Sequence, residues 1–101
     1  MLIGNEKLNV DMVKNELKPV FDSFGVKKAT LFGSVAKGNN SIDSDVDIVI
    51  ESELKGLAFL GLIESIREML NKKVDVLKHS EIIKDSKSDM EIKNTGLLIY
   101  G

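Results

Sequence analysis

Cysteine and tryptophan are absent from this chain, and proline, histidine and tyrosine each occur once. Without cysteine there can be neither a disulfide framework nor a thiolate metal site. The single histidine, His79, rules out His-rich zinc sites, and beside a turn it reads as a solvated side chain. No apolar run approaches the ~18 residues needed to cross a bilayer. The start, Met1 to Lys7, lacks a basic stretch followed by a long apolar one, so no signal peptide is expected and the expected location is cytoplasmic. Neither sign of charge dominates: 16 acidic residues stand against 14 basic ones, for a net charge of -2. A dedicated nucleic-acid binder shows a basic excess, so strong nucleic-acid binding is not expected.

What is present is an ordinary globular composition, 43% apolar over 101 residues. That supports one core, and the expectation is a single domain spanning residues 1–101. Val10, Val13, Leu17, Val20, Phe21 and Phe24 recur at helical spacing. Asn9 or Asp11 can cap that helix and Gly25 can end it, while Pro19 should kink or split it. Val26 to Phe32 is rich in β-formers and runs into Gly33-Ser34, a strand that opens a turn or short helix. Gly38 to Ser41 is loop. In Asp45 to Glu51, Val46, Ile48 and Ile50 alternate with Asp45, Asp47, Val49 and Glu51, the pattern of a strand with one apolar face.

A second helix covers Gly56 to Asn71, with Ala58, Phe59, Leu62, Ile63, Ile66, Met69 and Leu70 as its apolar face. Leu57 and Leu60 fall outside that stripe and read as exposed leucines before anything else. Val74 to Leu77 is a third strand. Ser80 to Asp89 is polar, a loop or weak helix, and Leu97 to Tyr100 forms an apolar tail. The order of elements indicates an α/β or α+β fold, a small mixed sheet flanked by helices. The strand edges, Leu57, Leu60 and the tail are candidate contact surfaces, which leaves homo-oligomerisation open.

Three features bear on chemistry. At Gly33-Ser34 a glycine lets the backbone approach a phosphate, and helix-start amides with a serine hydroxyl can donate to it. Alone, such a dipeptide is usually only a turn. Asp45 and Asp47 are two apart on a strand, hence on one face with Cα atoms about 7 Å apart. Their carboxylates can converge on one hard, oxygen-preferring cation. Alone, the pair would read as an exposed strand end. Asp75, between Val74 and Val76, points away from the face its neighbours bury, and joins the pair only if its strand lies beside that of Asp47. A calcium loop is a competing use of Asp43, Asp45 and Asp47, but the required glycine would fall at Ile48 and the closing glutamate at Leu54, so that reading fails.

Taken together, Leu31-Phe32-Gly33-Ser34-Val35-Ala36-Lys37-Gly38, ten residues between Ser34 and Asp45, and Asp45-Val46-Asp47-Ile48 resemble the signature of DNA polymerase β-like nucleotidyltransferases. The resemblance is to the minimal nucleotidyltransferase branch in particular. It extends from the leading helix to Gly96-Leu97-Leu98-Ile99-Tyr100, with Asp75 matching the branch's third acidic residue. It implies Mg²⁺, two ions, held by catalytic Asp45, Asp47 and Asp75, and ATP as substrate, its phosphates held by Gly33, Ser34 and Lys37. Lys37 departs from the arginine common in the branch and keeps the charge without the bidentate fork.

The resemblance further implies a HEPN-domain toxin as partner, with this chain as an antitoxin that adenylylates the toxin's tyrosines. Two other readings stay open: neutralisation by binding alone, and nucleotidyl transfer to RNA or a small molecule.

Overall fold

A computed structural model describes residues 6–101; Met1 to Asn5, part of the stretch on which the signal-peptide expectation rests, lie outside it. The elements run α1 (Val10–Phe24), β1 (Lys28–Phe32), α2 (Ser34–Lys37), β2 (Val46–Glu51), α3 (Leu57–Leu70), β3 (Val74–Lys78), α4 (Lys87–Thr95) and β4 (Leu97–Tyr100). A short 3-10 turn over His79–Glu81 links β3 to the loop before α4. The strands form a mixed sheet, as expected, in the order β3-β2-β1-β4. β1 is antiparallel to both β2 and β4, whereas β3 is parallel to β2. That parallel pairing follows from α3, which carries the chain back across the sheet between the two strands.

The Asn9 side chain caps α1, accepting from the Met12 amide at 2.9 Å, and Gly25 ends it in the left-handed region at φ 67°. Of the kink or split expected at Pro19, the split does not occur: α1 is one helix through that residue. Pro19 and Asn15, whose carbonyl it leaves unpaired, are both exposed, so water can satisfy the lost bond. Val13, Leu17 and Phe21 of α1 and Leu62, Ile66 and Leu70 of α3 are fully buried. They share a core with Ala29, Leu31, Val46, Ile48, Ile50 and Val74 from one face of the sheet.

Leu57 and Leu60 are 85% and 55% exposed, outside the core as expected, but Ala58, assigned to the apolar face of α3, is exposed too. Two segments are more ordered than their sequence suggests. The polar stretch after Ser80 gives way to α4, which Ser86 caps by accepting from the Asp89 amide at 3.2 Å. The apolar tail is an edge strand: β4 pairs with β1, and the Tyr100 ring packs against Phe21 with centroids 5.3 Å apart. The Tyr100 hydroxyl also donates to Asp22, which ties β4 to α1.

Candidate active site

The chemistry-bearing side chains gather on the face of the sheet opposite α1 and α3. The alternation of β2 buries Val46, Ile48 and Ile50 in the core and turns Asp47 the other way, half-buried. Register then decides its neighbours. Asp47 stands opposite Phe32 of β1 on one side and opposite Asp75 of β3 on the other. Adjacent strands lie about 4.8 Å apart, so the two carboxylates share one level and one face.

The residue after Phe32 is Gly33, buried, with φ 80° and ψ −153°, a conformation that L side chains rarely adopt. A Cβ built there would lie 2.5 Å from Oδ2 of Asp47. Glycine is therefore required twice, by the backbone and by the carboxylate it faces.

The far wall is α4. The Gly33 amide donates to Oγ1 of Thr95 at 2.9 Å, and that hydroxyl donates in turn to the Glu91 carbonyl at 2.7 Å. This link docks the end of α4 on the Gly33 turn and places Glu91 and Ser88 over the sheet. Asp47, Asp75, Glu91, Ser88, Lys87 and Arg67 line an open cleft of about 480 Å³, with Phe32 and Ile63 among its apolar walls. Arg67, the chain's only arginine, is fixed from α3 by donating through Nε and Nη2 to the Val74 carbonyl, at 3.3 and 3.2 Å.

Asp47 is the electrostatic focus of the cleft. Burial, then the charges of Asp75, Glu91 and Asp45, push its carboxyl from 3.8 up to about 6. Like charges held together out of water favour either a proton or a bound cation. Among the described residues no three acidic or histidine side chains are gathered closely enough to hold an ion by themselves. Asp45 is exposed, just ahead of β2, and its Oδ2 lies 3.9 Å from Nζ of Lys73. Asp47 and Asp75 nevertheless suit Mg²⁺, which takes hard oxygen ligands and is usually held by one or two carboxylates together with substrate phosphates.

Of the six residues singled out from sequence, Asp47 and Asp75 meet in the cleft and Gly33 backs Asp47 directly. Asp45 stands near enough for its charge to act on Asp47. Ser34 begins α2 and is half-buried, while Lys37 is exposed at the end of that helix; neither lines the cleft. The Gly33 amide, assigned to phosphate on sequence grounds, is engaged by Thr95 in this structure.

Sequence reading missed Glu91, Thr95 and the inward role of Arg67. The first two had one local signal, Ser86-Lys87-Ser88-Asp89, the spacing of a helix cap. Arg67 had none, since on a helical wheel it sits with the solvated charges Glu64 and Glu68.

A half-open mixed sheet with paired aspartates beside a Gly-Ser turn is the framework of a nucleotidyltransferase. Residues 10–98 match the family described as the nucleotidyltransferase domain, and the chain belongs to that family. Among relatives, a Methanocaldococcus jannaschii protein provisionally named as a protein adenylyltransferase is 35% identical over 78 residues, covering 74% of this chain and 83% of that one. The protein adenylyltransferase MntA of Thermococcus cleftensis is 35% identical over 71 residues, covering 68% and 69%. The fold is also that of a chain in the complex of tri-AMPylated Shewanella oneidensis HEPN toxin with MNT antitoxin. There the TM-score is 0.63 at 16% identity, over 91% of this chain and 72% of that one. Among the described residues no helix is long and apolar enough to cross a membrane.

Proposed function

We propose that this chain is a Mg²⁺-dependent protein adenylyltransferase that moves AMP from ATP to a tyrosine hydroxyl of a HEPN-domain toxin, and so acts as an antitoxin. The observation that carries the reading is the in-register pair Asp47 and Asp75, set against Gly33, with the like charges of Asp75, Glu91 and Asp45 acting on Asp47. Its partner and acceptor are taken from the relatives named as adenylyltransferases and from the neighbour solved with a tri-AMPylated HEPN toxin.

In this reading Asp45, Asp47 and Asp75 hold the Mg²⁺ ions, with Asp45 leaving Lys73 to do so. Bound Mg²⁺ supplies charge neutralisation for the triphosphate and the departing pyrophosphate. The Ser34 hydroxyl and the turn at Gly33 face the terminal phosphates, with Lys37 as an outlying positive charge. Asp75, at the open edge of the sheet, orients the acceptor hydroxyl and draws its proton. The hydroxyl oxygen bonds to the α-phosphorus as the bond from that phosphorus to the pyrophosphate oxygen breaks. Positioning and electrostatics account for the rate, with no covalent enzyme intermediate.

The test is to incubate the chain with a HEPN-domain toxin, Mg²⁺ and ATP, and to weigh that toxin intact. A gain of one or more AMP units, absent with Asp47→Asn, supports the reading. An unchanged mass despite a stable complex sinks the transferase and leaves neutralisation by binding.

A further inference from the structure

The carboxylate cleft does not end at Asp75. It shares Val76, Leu77 and Ser88 with a second cleft of about 320 Å³ that continues towards Lys78. Together they form a groove along the outer edge of β3. One wall is a stripe of α3, Phe59, Ile63 and Arg67, spaced four residues apart. The other is Ile82, Ile83 and Ser88, from the loop before α4 and its first turn.

The floor of this groove is the outer edge of β3, where the Val76 backbone has no partner among the described residues. Among the described residues β3 is an edge strand, paired only with β2. The Val46 amide donates to the Lys73 carbonyl at 3.1 Å, so Lys73 faces β2. Alternation then turns Val74 outward, Asp75 inward and Val76 outward. The outward setting of Val74 is visible in its carbonyl, which accepts from Arg67. Val76 presents its N–H and C=O to the groove in the same way, and there the edge is open.

We propose that this groove binds the acceptor as an extended peptide, added as a further strand along β3, with its tyrosine opposite Asp75. The inference rests on the adenylyltransferase reading and deepens it by naming how the acceptor is held. A strand laid on this edge pairs its main chain with Val76. Cross-strand neighbours share a face, so the residue opposite Asp75 projects towards the carboxylates, and the residues flanking it meet Phe59 and Ile63 on the other face. A flexible tyrosine-bearing segment fits such a groove.

Amide hydrogen exchange, followed residue by residue by NMR, reads the pairing directly. In the free chain Val76 should exchange quickly, while Asp75 and Leu77, bonded to β2, are slow. With a HEPN-domain toxin bound, Val76 should slow at least tenfold. Fast exchange at Val76 in the complex would overturn the proposal. So would equal protection by Mg²⁺ and AMP-PNP without the partner, which would assign the groove to the nucleobase.

Val76→Pro is the second test, since proline is tolerated on an outward edge but cannot donate there. It should raise the acceptor KM at least tenfold while the AMP-PNP dissociation constant stays within twofold. An unchanged acceptor KM would overturn the groove. A wild-type chain that transfers no AMP at all removes the underlying reading, and the groove proposal falls with it.

Discussion

Alternate residues of β2 live in two environments. Val46, Ile48 and Ile50 are fully buried against α1 and α3, in a face specified many times over by close packing. One position away, Asp47 is half-exposed between Phe32 and Asp75, under Glu91, in surroundings that oppose its own charge. The difference teaches where the strand's stability comes from and where it is given up. The packed face stabilises the fold whatever the chain does, whereas the polar face is held in an unfavourable state that a proton or a bound cation would relieve.

Substitutions that move one face and spare the other break this comparison most sharply. Asp47→Asn should lower transfer to a HEPN partner more than about 100-fold, since even outer-shell partners of a bound metal cost 10–100-fold when changed. The same change should stabilise the free chain at pH 7 by about 1 kcal/mol, seen as a melting temperature several degrees higher. Loss of both activity and stability would place Asp47 in the structural class of its neighbours. Ile48→Ala should do the reverse, costing about 2–4 kcal/mol in denaturant unfolding while activity per folded molecule is kept.

Gly33→Ala sits where the two faces are joined. Its Cβ would strike Oδ2 of Asp47 and strain a positive φ, for a cost of about 1–3 kcal/mol together with lost activity. Wild-type unfolding and Mg²⁺-dependent activity that match those of the unmutated chain would contradict the close approach.

The smallest effect is on pH. The folded carboxyl of Asp47 is raised from 3.8 to about 6, so between those values the native state holds more of its proton than the unfolded chain does. The Asp47 contribution to the stability of the free chain should therefore fall as pH rises from about 4 to 6 and then level off. Two pH units at 1.36 kcal/mol each set an upper bound near 3 kcal/mol, which solvent screening of a half-exposed group reduces to about 1. Asp47→Asn should flatten that slope; if it does not, the slope belongs to another group.

The two faces also differed in how far they could be read from sequence. The packed face was legible because burial imposes a period: the stripe on α1, most of that on α3 and the alternation of β2 all appear as expected. The aspartates were legible as a pair, and β3 brought Asp75 beside Asp47 through a register that no sequence pattern states. The remainder of the polar face was hidden for physical reasons. α4 buries no residue fully, so Lys87 to Thr95 carries no strong hydrophobic period, and Glu91 and Thr95 look like any exposed polar residues. β4 is four residues long, too short for alternation to separate a strand from an apolar tail. Pro19 does not split α1 because the exposed Asn15 carbonyl is open to solvent.

The most direct test of the polar face as the place where metal and nucleotide are held is calorimetric titration of AMP-PNP into the free chain at pH 7.5, with and without Mg²⁺. Binding that requires Mg²⁺ and disappears in Asp47→Asn is the predicted result. Equal binding without the metal, or undiminished binding in an Asp47→Asn, Asp75→Asn double variant, would contradict it.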